Sequence, residues 1–217
     1  MPEGTRPRLT RDAVLQRALE RADAAGLDSL TMRSLAAELG VVPMALYKHV
    51  ASKDELVDGM VDRVWAEVEP PTGPTWRAAM RARAVSLRSA LLRHPWAVGL
   101  LESRMSPGPA NLAAHDAMMG CLREAGFPFR TTVHVTSVLD AYVYGFALQE
   151  KTLPFDSAAE SGAVAAEKER SVPPELAQRF PYLLEVVAEL ARAGYDYDEE
   201  FATGLDLILD GVERRWP

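Results

Sequence analysis

Between Thr31 and Lys53 the sequence reads TMRSLAAELGVVPMALYKHVASK, and its reactive side chains suit contact with nucleic acid rather than bond-breaking. Lys48 and Lys53 can each neutralise a phosphate, and the Tyr47 hydroxyl can donate to one. Arg33 carries the planar fork that matches O6 and N7 of guanine together. Thr31, with the positive end of the helix it opens, offers a second phosphate or base-edge contact. Pro43, Met44 and Ala45 have no polar side-chain atom, so their readout would be by shape and by contact with the thymine methyl. For His49, phosphate contact or local packing is expected rather than catalysis.

Such side chains need two short helices and a turn to hold them on one face. Thr31 is the N-cap of a helix over 32–39 with Leu35, Ala36 and Leu39 on one side, and Gly40 closes it. Val41 and Val42 make the turn, and Pro43 fits the first position of a third helix running to about His49. Leu35, Ala36, Val41 and Leu46 form the face that fixes the crossing angle. A preceding helix starts at the Thr10 cap and stops at Gly26, with Val14, Leu15, Ala18 and Ala22 at helical spacing. Ser52 caps a fourth helix to about 69, whose acidic first turn (Asp54, Glu55) suits the helix dipole. Pro70, Pro71, Gly73 and Pro74 then mark a boundary. The expected division is a head over 1–53, opened by a loose arm with Arg6 and Arg8, a connecting helix over 52–69, and a body over 70–217.

The body is helical by pattern, over 76–93, 108–125, 129–151, 181–193 and 199–215. No alternating strand is visible, so the fold class is all-α. Residues 154–174 turn to Ala, Glu, Ser and Pro without an apolar stripe and read as a mobile loop.

Charge is distributed unevenly along the 217 residues. Residues 1–53 carry 8 Lys+Arg against 6 Asp+Glu, a net +2, and 54–217 carry 16 against 25, a net −9, together the −7 of the chain. A slightly positive head on an acidic body is expected where only the head meets phosphate. The single cysteine, Cys121, excludes an intrachain disulfide framework. With no apolar run of spanning length and no signal core at Met1–Gly4, the expected location is cytoplasmic. His94, His115 and His134 are dispersed, and no HExxH, GxSxG, GKS/T or GxGxxG pattern is present. Neither a metal, a cofactor nor an enzymatic activity is expected.

The stretch from Leu9 to about Asp58 resembles the DNA-binding domain of the TetR family of transcriptional regulators. Leu46, Tyr47, Lys48, His49 and Val50, followed by Lys53, Leu56 and Asp58, are similar to the tetracycline-repressor branch. Trp76, the run from Ala90 to His94, Gly126, Phe127 and Gly145 extend a weaker likeness through the body. Two departures stand in the head: Val42 replaces the Ser that caps the recognition helix in many relatives, and Val50 replaces the commoner Phe.

The resemblance implies an all-helical homodimer on a palindromic DNA operator, holding a small-molecule effector in its body, more often a repressor than an activator. It implies a dimer face from helices near 129–151 and 199–215, where Leu205, Ile208, Leu209 and Val212 make a stripe. Aligned with the branch, Glu69, Arg83, Leu101, Met118 and Gln149 occupy the positions that hold magnesium–tetracycline, and neither histidine is kept, so a different effector is expected. The ligand-binding candidates are Arg83, Leu87, Leu101, Arg104, Met118 and Gln149, with Met119 and Val133 adding to a largely apolar lining. Two other readings stay open, a constitutive DNA-bound scaffold with a filled core and an all-helical enzyme that keeps a helix-turn-helix head.

Overall fold

The computed structural model describes residues 9–155 and 157–216, and every regular element among them is helical. In chain order these are α1 (Arg11–Ala25), α2 (Met32–Glu38), α3 (Pro43–Leu46), α4 (Lys53–Ala66), α5 (Trp76–Arg93), α6 (Pro109–Glu124) and α7 (Phe129–Thr152). There follow α8 (Ala158–Ser171), α9 (Pro174–Arg179), α10 (Pro181–Ala193) and α11 (Tyr197–Arg215). The all-α class read from the periodicity is the observed one. The arm expected to carry Arg6 and Arg8 lies outside the described residues.

Local chemistry sets most helix starts. Thr10, Thr31, Ser52, Thr75 and Ser157 each accept, through the side-chain oxygen, the N–H three residues on. Each such cap contributes roughly 0.5–2 kcal/mol by satisfying a donor the helix leaves free. At Thr31 the exchange is reciprocal, because Ser34 Oγ accepts from the Thr31 N–H at 3.1 Å.

Packing divides the chain into two compact units, 1–147 and 148–217, with the boundary inside α7. In the first unit α4 is central, touching α1, α5 and α6. Val14, Leu15 and Ala18 of α1, Leu56, Met60, Val64 and Trp65 of α4, Met80 and Leu87 of α5, and Met118 and Leu122 of α6 are all buried. α4 thus packs against elements on both sides of the sequence punctuation near Pro70. A second joint ties α1 to the end of α5. Asp23 accepts from Trp96 Nε1 at 2.7 Å and lies 2.8 Å from Nδ1 of buried His94, whose Nε2 is 3.0 Å from Glu67. Burial would raise the Glu67 carboxyl, but hydrogen bonds from Arg93 and His94 outweigh it and hold the group below its usual value.

In the second unit a helix stands where the composition suggested a mobile loop: α8 forms and packs along α10. Ser157 caps it, and its buried face consists of Ser161, Gly162 and Ala165, too small to register as an apolar stripe. The Ser161 hydroxyl accepts from the Tyr195 N–H at 2.6 Å and fixes the return of the chain. The turn after α10 requires glycine: Gly194 has φ +76°, and a Cβ there would overlap the Ala158 carbonyl. In α11, Phe201, Leu205, Leu209 and Val212 are buried. Most of the stripe expected at a dimer face is thus already covered within one chain, while Leu207 of α11 and Tyr182, Leu183 and Val186 of α10 stay exposed.

Candidate DNA-binding face and effector core

α2 and α3 pack against each other through buried Leu35, Ala36 and Leu46, with Leu30 and Val50 closing the turn on either side. An Arg21 ion pair to Glu38, and its Nε donating to the Ser29 carbonyl at 3.0 Å, lock α1 against α2. On the outer side Pro43, Tyr47 and Lys48 are exposed, and Met44 reaches 70 % exposure. Val42 is exposed as well, so Val42, Met44 and Tyr47 leave apolar surface uncovered at this tip. Ala45 and His49 are half-buried, and Val41, expected inside, is only half-buried too.

The recognition helix is shorter than the periodicity suggested. α3 ends at Leu46, and residues 47–49 form a turn in which the His49 N–H donates to the Leu46 carbonyl at 2.8 Å. Val42 supplies no side-chain cap, so this element lacks the local stabilisation of its neighbours. The Thr31 hydroxyl is committed to Ser34 at 3.0 Å and acts first as a cap. Arg33, Lys48 and Lys53 are exposed, and no ion-pair or hydrogen-bond partner holds them among the described residues.

In the body, Arg83, Leu87, Leu101 and Met118 are buried. The other ligand candidates sit differently. Arg104 is ion-paired with Asp58 of α4 and donates through Nη2 to the Asp54 carbonyl at 3.1 Å. Gln149 is exposed and belongs to the second unit, and Met119 and Val133 are also exposed.

Around Arg83 lies a polar cluster whose members other than Arg83 the sequence did not single out for the effector site. Its Nη1 donates to Asp140 Oδ1 at 2.8 Å, while its Nε and Nη2, and Nε1 of buried Trp65, have no hydrogen-bond partner. The Trp65 ring lies 4.8 Å from the His115 ring, and the Tyr144 hydroxyl donates to Glu102 at 2.7 Å. His115 Nδ1 is 2.9 Å from the Asn111 carbonyl, which can only accept, so Nδ1 carries the proton. Burial pushes the Asp140 carboxyl up despite the opposing Arg83 charge, and pushes the Tyr144 hydroxyl well up, with Asp140 and Glu102 adding to it. Ligand atoms of Glu102, His115 and Asp140 fall within 4.8 Å of one another, a donor set that could hold a cation. The Arg83 guanidinium already competes for one of those carboxylates. Only the four-residue spacing of Asp140 and Tyr144 hinted at a shared face.

A tip of two short packed helices with free cations and exposed apolar residues, carried on a helical body with a polar core, defines a helix-turn-helix DNA-binding regulator. Residues 14–60 match the model of the bacterial regulatory proteins of the tetR family, and residues 69–216 match the tetracyclin repressor-like C-terminal domain. The chain belongs to the TetR family of transcriptional regulators, which bind operator DNA as dimers and respond to small-molecule effectors. It is 36% identical over 220 residues to the HTH-type transcriptional repressor DrrR1 of Streptomyces coeruleorubidus, covering 97% of this chain and 79% of that one. It is 29% identical over 212 residues to the class A tetracycline repressor protein from transposon 1721 of Escherichia coli, covering 96% and 92%. The structure of the Streptomyces coelicolor TetR family protein ActR in complex with actinorhodin superposes with a TM-score of 0.77 at 30% identity, covering 95% of this chain and 98% of that one. No helix among the described residues is long and apolar enough to cross a membrane.

Proposed function

We propose that this chain is a repressor whose two heads, each within residues 1–53, grip a palindromic operator until an effector in the body over 70–217 releases them. Arg33 reads a base edge, Pro43, Met44 and Ala45 read groove shape, and Thr31, Tyr47, Lys48, His49 and Lys53 hold phosphate. The protein works in the cytoplasm, where its DNA is, and performs no catalysis.

The observation that carries this reading is the double attachment of α4. Toward the head, Arg63 is ion-paired with Asp12 and donates to Gln16 of α1 at 2.9 Å. Toward the body, Asp58 receives Arg104, and Asp62 accepts from the Asn111 N–H at 3.0 Å. A helix tied at both sides transmits a shift in the body to the head. Two recognition helices must be about 34–36 Å apart to occupy successive major grooves, so a small swing abolishes simultaneous binding. ActR is described in complex with actinorhodin and with (S)-DNPA, which favours an effector over a constitutive scaffold.

Selection of bound duplexes from a random DNA pool tests the head directly. The expected outcome is a two-fold symmetric consensus bound by one dimer. Recovery of no consensus, with equal affinity for heparin and duplex, would refute the reading.

A further inference from the structure

We propose that the effector is recognised at Arg83 and Trp65, and that it is an uncharged organic molecule presenting a carbonyl-type acceptor oxygen to their free N–H groups. This rests on the effector-responsive reading above and adds the chemistry of the ligand to it.

Three buried donors, Nε and Nη2 of Arg83 and Nε1 of Trp65, lack any acceptor. Buried N–H groups are almost always paired, and leaving three unpaired on neighbouring helices of one core is costly unless a ligand or water completes them. The charge around them selects the completing group. Arg83 is already neutralised by Asp140 at 2.8 Å, and Glu102 stands beyond it, within 4.8 Å of Asp140 and His115 through their ligand atoms. An incoming carboxylate would meet two carboxylates for one guanidinium, so the free donors favour an acceptor oxygen without charge. Access is graded: side-chain exposure falls from 58% at Glu102 through 25% at His115 and 12% at Asp140 to 2% at Arg83. Leu87, one turn from Arg83, and Met118, three residues from His115, are fully buried, and the Trp65 and His115 rings lie together. These groups suit a flat, apolar frame carrying the oxygen.

Three fragments of similar size separate the possibilities: acetophenone (uncharged carbonyl), benzoate (anion) and ethylbenzene (no acceptor). Each is titrated into full-length protein with 15N-labelled Trp and Arg, and MgCl2 alone is titrated in parallel. The Trp65 Nε1 and Arg83 Nε signals are assigned from W65F and R83K. Acetophenone is expected to move both signals with about millimolar affinity, benzoate about tenfold more weakly, and ethylbenzene not at all. Trp65→Phe, which keeps the shape and removes one donor, should weaken acetophenone about fivefold or more, read at the Arg83 Nε signal. Tighter binding of benzoate, silence of both signals to every fragment, or a response to MgCl2 alone would each overturn the proposal. Retained duplex binding with silent spectra removes this inference only, whereas loss of duplex specificity removes the regulator reading whatever the spectra show.

Discussion

The Arg83–Asp140 pair offers a perturbation whose sign distinguishes a structural pair from one kept for ligand recognition. The two side chains are 2% and 12% exposed and 2.8 Å apart, so neither retains much hydration. Replacing Asp140 with leucine strands a buried guanidinium and should cost about 3–5 kcal/mol. At about 2–4 °C per kcal/mol for a chain of this size, the melting midpoint should fall by roughly 6–20 °C. The double variant R83M/D140L removes both charges and the unpaired donors at once, and should melt at or above the wild-type temperature. The acid–base behaviour of Asp140 agrees in sign. Its folded value is raised by burial, against the pull of Arg83, so its contribution to stability is full below the unfolded value near about 4 and lost as pH rises through the folded value. Wild type should therefore lose stability relative to D140N between acid and neutral pH. Melting curves of the four members of the cycle, and of D140N across that range, decide the matter. A double variant as damaged as the sum of the singles would show that the two side chains support the fold independently, without a coupling between them, and would refute the reasoning.

Other consequences are as direct. Lys53→Ala should weaken binding across all duplex sequences and reduce the slope of log affinity against log salt by about 1, while Tyr47→Ala should weaken binding without that change; unchanged gel-shift affinity for both would remove their phosphate roles. Gly194→Ala should destabilise the α8–α10 pair, seen as faster amide exchange over 158–193, because it meets both a positive φ and the Ala158 carbonyl. Gly26→Ala, with the same φ of 76° but open space around it, should cost far less; equal costs would mean the close approach is immaterial. Burial, with a smaller push from Glu124, raises the Cys121 thiol, so disulfide reagents should label it more slowly than free cysteine at pH 7.5, and equal rates would contradict this.

What could be read ahead of the structure was what depends on residues a turn apart. Thr10, Thr31 and Ser52 announce helix starts because the cap and the N–H it receives are three positions apart in sequence. α8 escaped because its contact face is Ser161, Gly162 and Ala165, and close packing of small side chains leaves no hydropathy signal. Absence of a cap at Val42 was visible, but not that the helix would stop at Leu46. The polar core was invisible for a different reason. Arg83 and Asp140 are 57 residues apart, on α5 and α7, and His115 and Glu102 join them from two further segments. Spacing rules for metal or catalytic sites act within one element, whereas this cluster exists only once four segments have packed.

The chemistry along α4 suggests where its movement is permitted. Leu56, Met60 and Val64 are buried, while Asp54, Asp58 and Asp62 repeat every fourth residue on another side. Asp62 supplies the cap that α6 lacks, since its N-cap, Gly108, offers no side chain and a Cβ there would overlap the Asp62 carboxyl. Asp58 and Arg104 remain 25% and 22% exposed at the side chain. Contacts as wet as these contribute about 1 kcal/mol or less each, against roughly 1.5–3 kcal/mol for each fully buried apolar side chain. The polar ties along the first half of α4 are thus weaker than its apolar packing. Trp65, at the far end of the same helix, faces the proposed ligand with its unpaired N–H. On the proposed reading, a ligand that engages it would pull on the buried end of α4, the helix against which α1 of the head is packed.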